Sequence, residues 1–182
     1  MNRLSLIFHI AVLLYLGRLL FFLSTGYSPA GPGYDPPFVI SILDTINLFI
    51  HEAGHFFFKP FWMWLEILSG SLVQVLIPLT LLIVTFRENP ASSVYPGFWL
   101  GESMINVSAY IRDAPYMKLK LIARGLIHDW NWLIRSNEQT ASLLGGAVFG
   151  IGILVIVASI AFGVYYIIRS FREGQEIRTE DT

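Results

Sequence analysis

Cysteine is absent, and charge is scarce. With no Cys among 182 residues, disulfides, thiolate nucleophiles, Cys-ligated zinc and iron–sulfur clusters are excluded together. Any metal must be held by histidine and carboxylate. Charged residues make up 14% of the chain against 54% hydrophobic. A soluble domain of this length carries about 25% charged residues, so the composition points to a membrane protein. A net charge of −1 suggests no nucleic-acid surface and no polybasic patch for lipid. Histidine is rare, four in all, and residues 24–37 contain no Lys or Arg.

What the chain does have is long apolar runs, and about 20 apolar residues of helix cross a bilayer core. Residues 4–23 form the first; with Arg18 inside and no small-residue cleavage site, the run reads as a retained helix. The stretch "STGYSPAGPGYDPP" that follows is too rich in Gly and Pro for regular structure and marks a loop. A second helix is expected over residues 38–59, ending at Pro60. A third covers residues 61–86, with Gly70 and Ser71 loosening its middle and Pro78 as a kink point. A fourth, less apolar, covers residues 91–111.

Residues 112–141 are too charged to span, and an amphipathic helix over residues 116–135 is expected at the membrane surface. Residues 142–168 make the most lipid-like helix. The expected fold is therefore all-α: a transmembrane bundle of about five spans plus one interfacial helix. Residues 1–170 form a single membrane-embedded domain, and residues 171–182 a frayed polar tail. Basic residues orient it with a cytoplasmic N-terminus. Arg3, Lys59 and the stretch holding Arg112, Lys118, Lys120, Arg124 and Arg135 then lie inside, and residues 24–37 outside.

Within the second helix stands "HEAGH", an H-E-x-x-H pattern in apolar surroundings. Residues four apart share a helix face, so His51 and His55 can direct ring nitrogens at one ion. Glu52 reaches a water beside that ion and can accept its proton. Zinc is the natural occupant, being redox-silent and content with His and carboxylate. Ionisable groups in a membrane helix are costly, which makes a functional reason the default reading.

A catalytic zinc needs a third protein ligand, and "GLIHDWNW" offers His128 or Asp129. Glu66, Glu102 and Asp113 are rivals, and His9 is expected at similar depth as a supporting or fourth ligand. An interfacial His-Asp pair within an aromatic belt of Trp130 and Trp132 is the plainer account of the same residues. Asp44 lies seven residues before His51 on the same face, and Gln74 and Asn106 lie beside Gly and Ser. These three could support a ligand or contact substrate, or bond between helices. "GAVFG", residues 146–150, reads as a G-x-x-x-G packing motif.

On "HEAGH" in a hydrophobic segment and a later Asp-containing motif, the chain resembles the intramembrane zinc metalloproteases of the site-2 protease type. The resemblance implies zinc bound by His51, His55 and Asp129, with Glu52 activating water to cut a membrane protein or peptide. The family's N-P-x-x-D-G-like segment is replaced by "IHDWNW", and no PDZ module is present. Two other functions fit the same residues: a zinc hydrolase cutting a lipid amide or ester, and a non-catalytic assembly factor with a structural metal. The expected surroundings are the lipid bilayer and a membrane substrate, with no nucleic acid; a partner subunit is left open.

Overall fold

The computed structural model describes residues 3–119 and 127–180. Among these residues all the regular secondary structure is helical. The elements are α1 (Arg3–Thr25), α2 (Phe38–Phe58), α3 (Met63–Glu88), α4 (Val94–Asp113), α5 (Asp129–Ile134) and α6 (Glu138–Glu180), with a short 3-10 turn at Pro90–Ser93 before α4. Proline sets several boundaries. Pro37 precedes α2, Pro60 lies in the turn after it, and Pro90 opens the 3-10 turn, each where no helical N–H is needed. Pro78 is the exception. It is buried inside a continuous α3.

Three helices are long and apolar enough to cross a membrane: Leu4–Thr25, Met63–Glu88 and Glu138–Arg172. Their outward faces carry large exposed side chains such as Phe8, Phe21, Ile83 and Leu154, which lipid can cover. α4 instead sits among α1, α2, α3 and α6 and turns small and polar residues inward. An apolar cluster of Leu16, Leu19, Leu23, Ile40, Val94, Phe98, Ile105 and Ile156 ties α1, α2, α4 and α6 together.

Residue contacts fix the direction of each helix. Gln74 of α3 reaches Ser103 and Asn106 of α4, while a Cβ on Gly97, in the first turn of α4, would touch Leu82 late in α3. α3 and α4 are antiparallel. α6 also opposes α4, since Gly97 faces Ser159 and Gly145 faces Ser108 and Arg112. At the start of α1, His9 and Leu13 lie beside Asn89, Val94 and Gly163. Just past its end, the Tyr27 hydroxyl reaches Asn106. α1 therefore runs parallel to α4.

α2 opposes α3, because Gly54 meets Ser69 and the His55 ring meets the Glu66 carbonyl. It follows that α1 and α2, consecutive in the chain, run in the same direction. The alternation expected from five successive spans breaks here. Residues 26–37 have to carry the chain back, and Pro29–Gly31 and Gly33 of this loop line the same cavity as His51. Ile40 is fully buried beside Leu23 and Phe98 in the bundle interior. The start of α2 is thus packed along one face, at Ile40, while Phe38 and Ile42 stay exposed.

Three further expectations change. No single helix covers residues 116–135: residues 117–119 and 127–128 are not helical, α5 takes up only Asp129–Ile134, and residues 120–126 lie outside the described part. The tail is not frayed from residue 171, since α6 continues to Glu180. The G-x-x-x-G at residues 146–150 is not the packing seam either, as a Cβ on Gly150 would meet nothing within 4 Å. Gly145 and Gly152 serve instead. Gly152 lies against Gly101 of α4, where an added Cβ would come within 2.8 Å of its carbonyl.

Candidate metal centre

His51 and His55 stand one turn apart on α2, and α5 brings Asp129 to them from 74 and 78 residues away. Asp129 Oδ2 lies 2.8 Å from His51 Nε2 and 3.2 Å from His55 Nε2. One ligand atom from each of the three residues lies within 4.8 Å of the others. These are the three candidate ligands that the fold brings together.

The histidine rings are held by their other nitrogens. His55 Nδ1 is 2.8 Å from the Glu66 carbonyl oxygen, and His51 Nδ1 is 3.3 Å from Gln74 Oε1. A carbonyl oxygen only accepts, so each Nδ1 carries the proton and each Nε2 presents its lone pair. Two lone pairs and a carboxylate oxygen then converge with no proton of their own between them. That donor set fits a divalent cation with a preference for nitrogen and oxygen, zinc among them.

Two glycines make room for the cluster. A Cβ on Gly54 would sit 2.6 Å from the Ser69 carbonyl oxygen, so the HEAGH glycine lets α2 and α3 touch backbone to backbone. A Cβ on Gly70 would sit 2.6 Å from Nε2 of both His51 and His55. "SGS", residues 69–71, does not loosen α3; it leaves open the ground in front of both ligand atoms.

Asp129 is delivered by a scaffold around α5. His128 caps that helix, its Nδ1 accepting from the Asn131 amide at 3.3 Å, and its Nε2 meets Asp113 Oδ2 at 3.3 Å. Asp113 also accepts the amides of Lys118 and Leu119. Trp130 Nε1 donates to Ser71 at 3.0 Å, which docks α5 on α3. The Tyr110 hydroxyl accepts the Asp129 amide at 3.2 Å, and its ring packs on His51 and His128. With no metal bound and both imidazoles protonated, burial pushes the Asp129 carboxyl up, but hydrogen bonds and charge from His51 and His55 outweigh it and hold it at about 2.

The remaining candidates separate cleanly. His128 and Asp113 pair with each other as scaffold and stay out of the ligand group. Glu66 contributes its backbone carbonyl. His9 sits at the opposite end of the bundle, bonded to the Ser5 carbonyl of its own helix, because α1 starts at the far end from the histidines. Gln74, Asn106 and Asp44 form one chain leading away from His51. Gln74 donates to Asn106 Oδ1 at 2.9 Å, and Asn106 donates to Asp44 Oδ1 at 2.9 Å.

Tyr27 adds a 2.6 Å bond to the Asp44 carboxylate. Glu102 is fully buried and accepts from Asn47 at 2.8 Å, which places it outside the ligand group. Tyr110, Gly70 and Asn47 carried no signal in the sequence, since each resembles an ordinary residue of a packed helix.

A cavity of about 560 Å³ opens beside the cluster. Of the cluster only His51 lines it, together with Glu52, Asp44, Gln74, Asn106 and the loop residues Pro29–Gly31. Glu52 thus faces the same cavity as His51 without joining the ligand group. In comparisons with known proteins, no family model, curated protein or solved structure matches this chain.

Proposed function

We propose that the protein is a membrane-embedded zinc hydrolase that cuts peptide bonds of membrane proteins or peptides. One observation carries the reading: three side chains able to ligate a metal, His51, His55 and Asp129, converge beside a cavity that Glu52 also lines. Zinc bound there would supply Lewis acidity and lower the pKa of a water to about 7. Glu52, lining the same cavity as His51, would be the base that takes a proton from the attacking water and passes it to the leaving amine. Gln74 and the Glu66 carbonyl keep both imidazoles turned toward the site.

The wall of Asp44, Gln74 and Asn106 suits the amide groups of an extended peptide better than an acyl chain, which favours peptide over lipid as substrate. Three protein ligands leave one position for water, whereas a structural zinc is closed by four. That favours catalysis over an assembly role.

In this reading α1, α3, α4 and α6 cross the bilayer, while α2 begins partway along the bundle, with Ile40 against α1 and α4, and runs to the end that holds the metal centre. Both termini then lie at the opposite end. Arg112, Lys118 and Arg135 belong to the metal end and favour that end as cytoplasmic. The N-terminus then faces away from the cytoplasm, which departs from the orientation expected under simple alternation.

The test is elemental analysis of detergent-purified protein, wild type beside His55→Ala, followed by Glu52→Gln as a substrate trap. Near-stoichiometric zinc that disappears in His55→Ala, and an uncleaved membrane peptide accumulating in cells carrying Glu52→Gln, are expected. Protein that takes up no metal even when zinc is supplied would sink the proposal.

A further inference from the structure

The turn between α2 and α3 carries an unusual load of exposed aromatics. Trp62 is 85% exposed, the most exposed large apolar side chain described, and Phe56, Phe57, Phe61 and Trp64 all exceed half exposure. Lys59 stands exposed in their midst. Phe56 packs on Phe57, and Phe58 on Phe61, so the patch turns outward and stacks on itself. An apolar patch of this kind marks a surface made for something other than bulk water.

The mix of residues identifies the occupant. Tryptophan rings prefer the headgroup level of a bilayer, where one edge is wet and the other apolar. A lysine among them extends its amine toward lipid phosphates. The turn also joins a candidate membrane-crossing helix, α3, at its first residues. Lys118 and Arg112 lie at the same end of the bundle, which gives it the charge to meet anionic headgroups.

From these observations we infer that the α2–α3 turn is an interfacial anchor seated in the lipid leaflet, and that it holds the metal centre in the leaflet on its own side of the membrane. His55 and His51 lie three and seven residues before the last residue of α2, about 4.5 and 10.5 Å along the axis at 1.5 Å per residue. Tyr110 lies three residues before the end of α4, and Gly70 seven after the start of α3. The whole cluster therefore sits within about two helical turns of the anchored end, on the half of α3 nearer that end.

Resting on the hydrolase reading, this narrows the substrate. The bond cut lies in an extended segment within the leaflet that holds the anchor.

The natural absence of cysteine permits a direct test. Single-cysteine variants Trp62→Cys and Phe57→Cys carry nitroxide labels in vesicles of phosphatidylcholine and phosphatidylglycerol. Leu154→Cys serves as the hydrocarbon reference and Glu88→Cys as the far-end reference. Power-saturation measurements with oxygen and a soluble nickel chelate give each label's depth. Labels at 57 and 62 are expected about 5–10 Å below the headgroups, reached by both relaxants.

Exposure to nickel alone would place the turn in water and overturn the inference. Oxygen-only relaxation matching Leu154 would place it deep in hydrocarbon and overturn it equally. Protection from both would mean that a partner protein or a second copy covers the patch, and the inference would fall in that case too. If Trp62→Cys fails to fold, Phe57→Cys decides alone. Zinc content of the same preparations separates the two proposals: boundary depth without metal removes the hydrolase reading and leaves the anchor standing.

Discussion

Adding one methyl group at Gly70 tests the metal centre more sharply than removing a ligand. In Gly70→Ala the new Cβ would stand 2.6 Å from Nε2 of His51 and of His55, against an ordinary contact of 3.4 Å or more. The shortfall is about 0.8 Å on each side. Moving α3 away offers little relief, because α3 itself grips both rings through the Glu66 carbonyl and Gln74. At least one imidazole has to turn, giving up its Nδ1 bond and its aim at the site.

Overpacking of this kind costs about 1–3 kcal/mol, and loss of a group that orients a ligand typically weakens metal binding about 10–100-fold. The two figures agree, since about 1.4 kcal/mol is a factor of ten. The assay is zinc affinity by chelator competition on detergent-purified protein, with helix content by circular dichroism alongside. Gly150→Ala is the control, because its Cβ would meet nothing within 4 Å. Zinc binding is expected to weaken in Gly70→Ala with helicity kept, and to be unchanged in the control. Affinity within about twofold of wild type in Gly70→Ala, too small a change for even a modest ligand disturbance, would refute the assignment of Gly70 as the opening for the ion.

The α4–α6 seam yields a matched pair: Gly152→Ala is expected to destabilise by about 1–3 kcal/mol, while Gly150→Ala is neutral or slightly stabilising from helix propensity. Thermal melts in detergent compare them, and equal melting temperatures would remove the seam. Gln74→Leu deletes the acceptor for His51 Nδ1 and should weaken zinc about 10–100-fold without abolishing it; undiminished affinity would show that the ring is oriented by something else. For metal-free protein, Asp129 gives a pH signature. Its carboxyl sits at about 2 in the fold against an ordinary 3.8, so the unfolded chain takes up the proton first as pH falls. The stabilisation, about 2 kcal/mol, is complete above about pH 4 and lost as pH drops through about 2. Melting temperature followed from about pH 5 downward should fall less steeply in Asp129→Asn than in wild type, and identical slopes would contradict the buried His–Asp contact.

Much of the helical layout could be read from hydropathy and proline. α2 begins at Phe38 as expected, and α3 and α4 are displaced by only a few residues. The candidate ligands were legible for a chemical reason: His51, Glu52 and His55 are expensive in hydrocarbon, so their presence pointed to a site. The choice between His128 and Asp129 was not legible. Both residues are buried at the same point of the chain, and only the capping geometry turns His128 back toward Asp113 while Asp129 faces the histidines. Gly70 escaped because a helical glycine looks like a weak point until the opposite surface is known.

The parallel course of α1 and α2 escaped for a more general reason. Reading spans from apolar runs assumes that each run crosses and that each loop stays outside. Residues 26–37 break that assumption through their own composition. With four prolines, three glycines, no basic residue and Asp35 as the one acidic side chain, the segment is irregular backbone with little charge to keep in water. Irregular backbone is tolerated at membrane depth only where protein or a polar cavity satisfies it. Here Tyr27 and Tyr34 of the loop bond the half-buried Asp44, and Pro29–Gly31 wall the cavity beside His51. Asp44 therefore bonds the returning loop and, through Asn106 and Gln74, stands at the far end of the chain that leads from His51. The carboxylate that looked like a possible substrate contact in the sequence is the point where the reversal of the chain and the support of the metal centre meet.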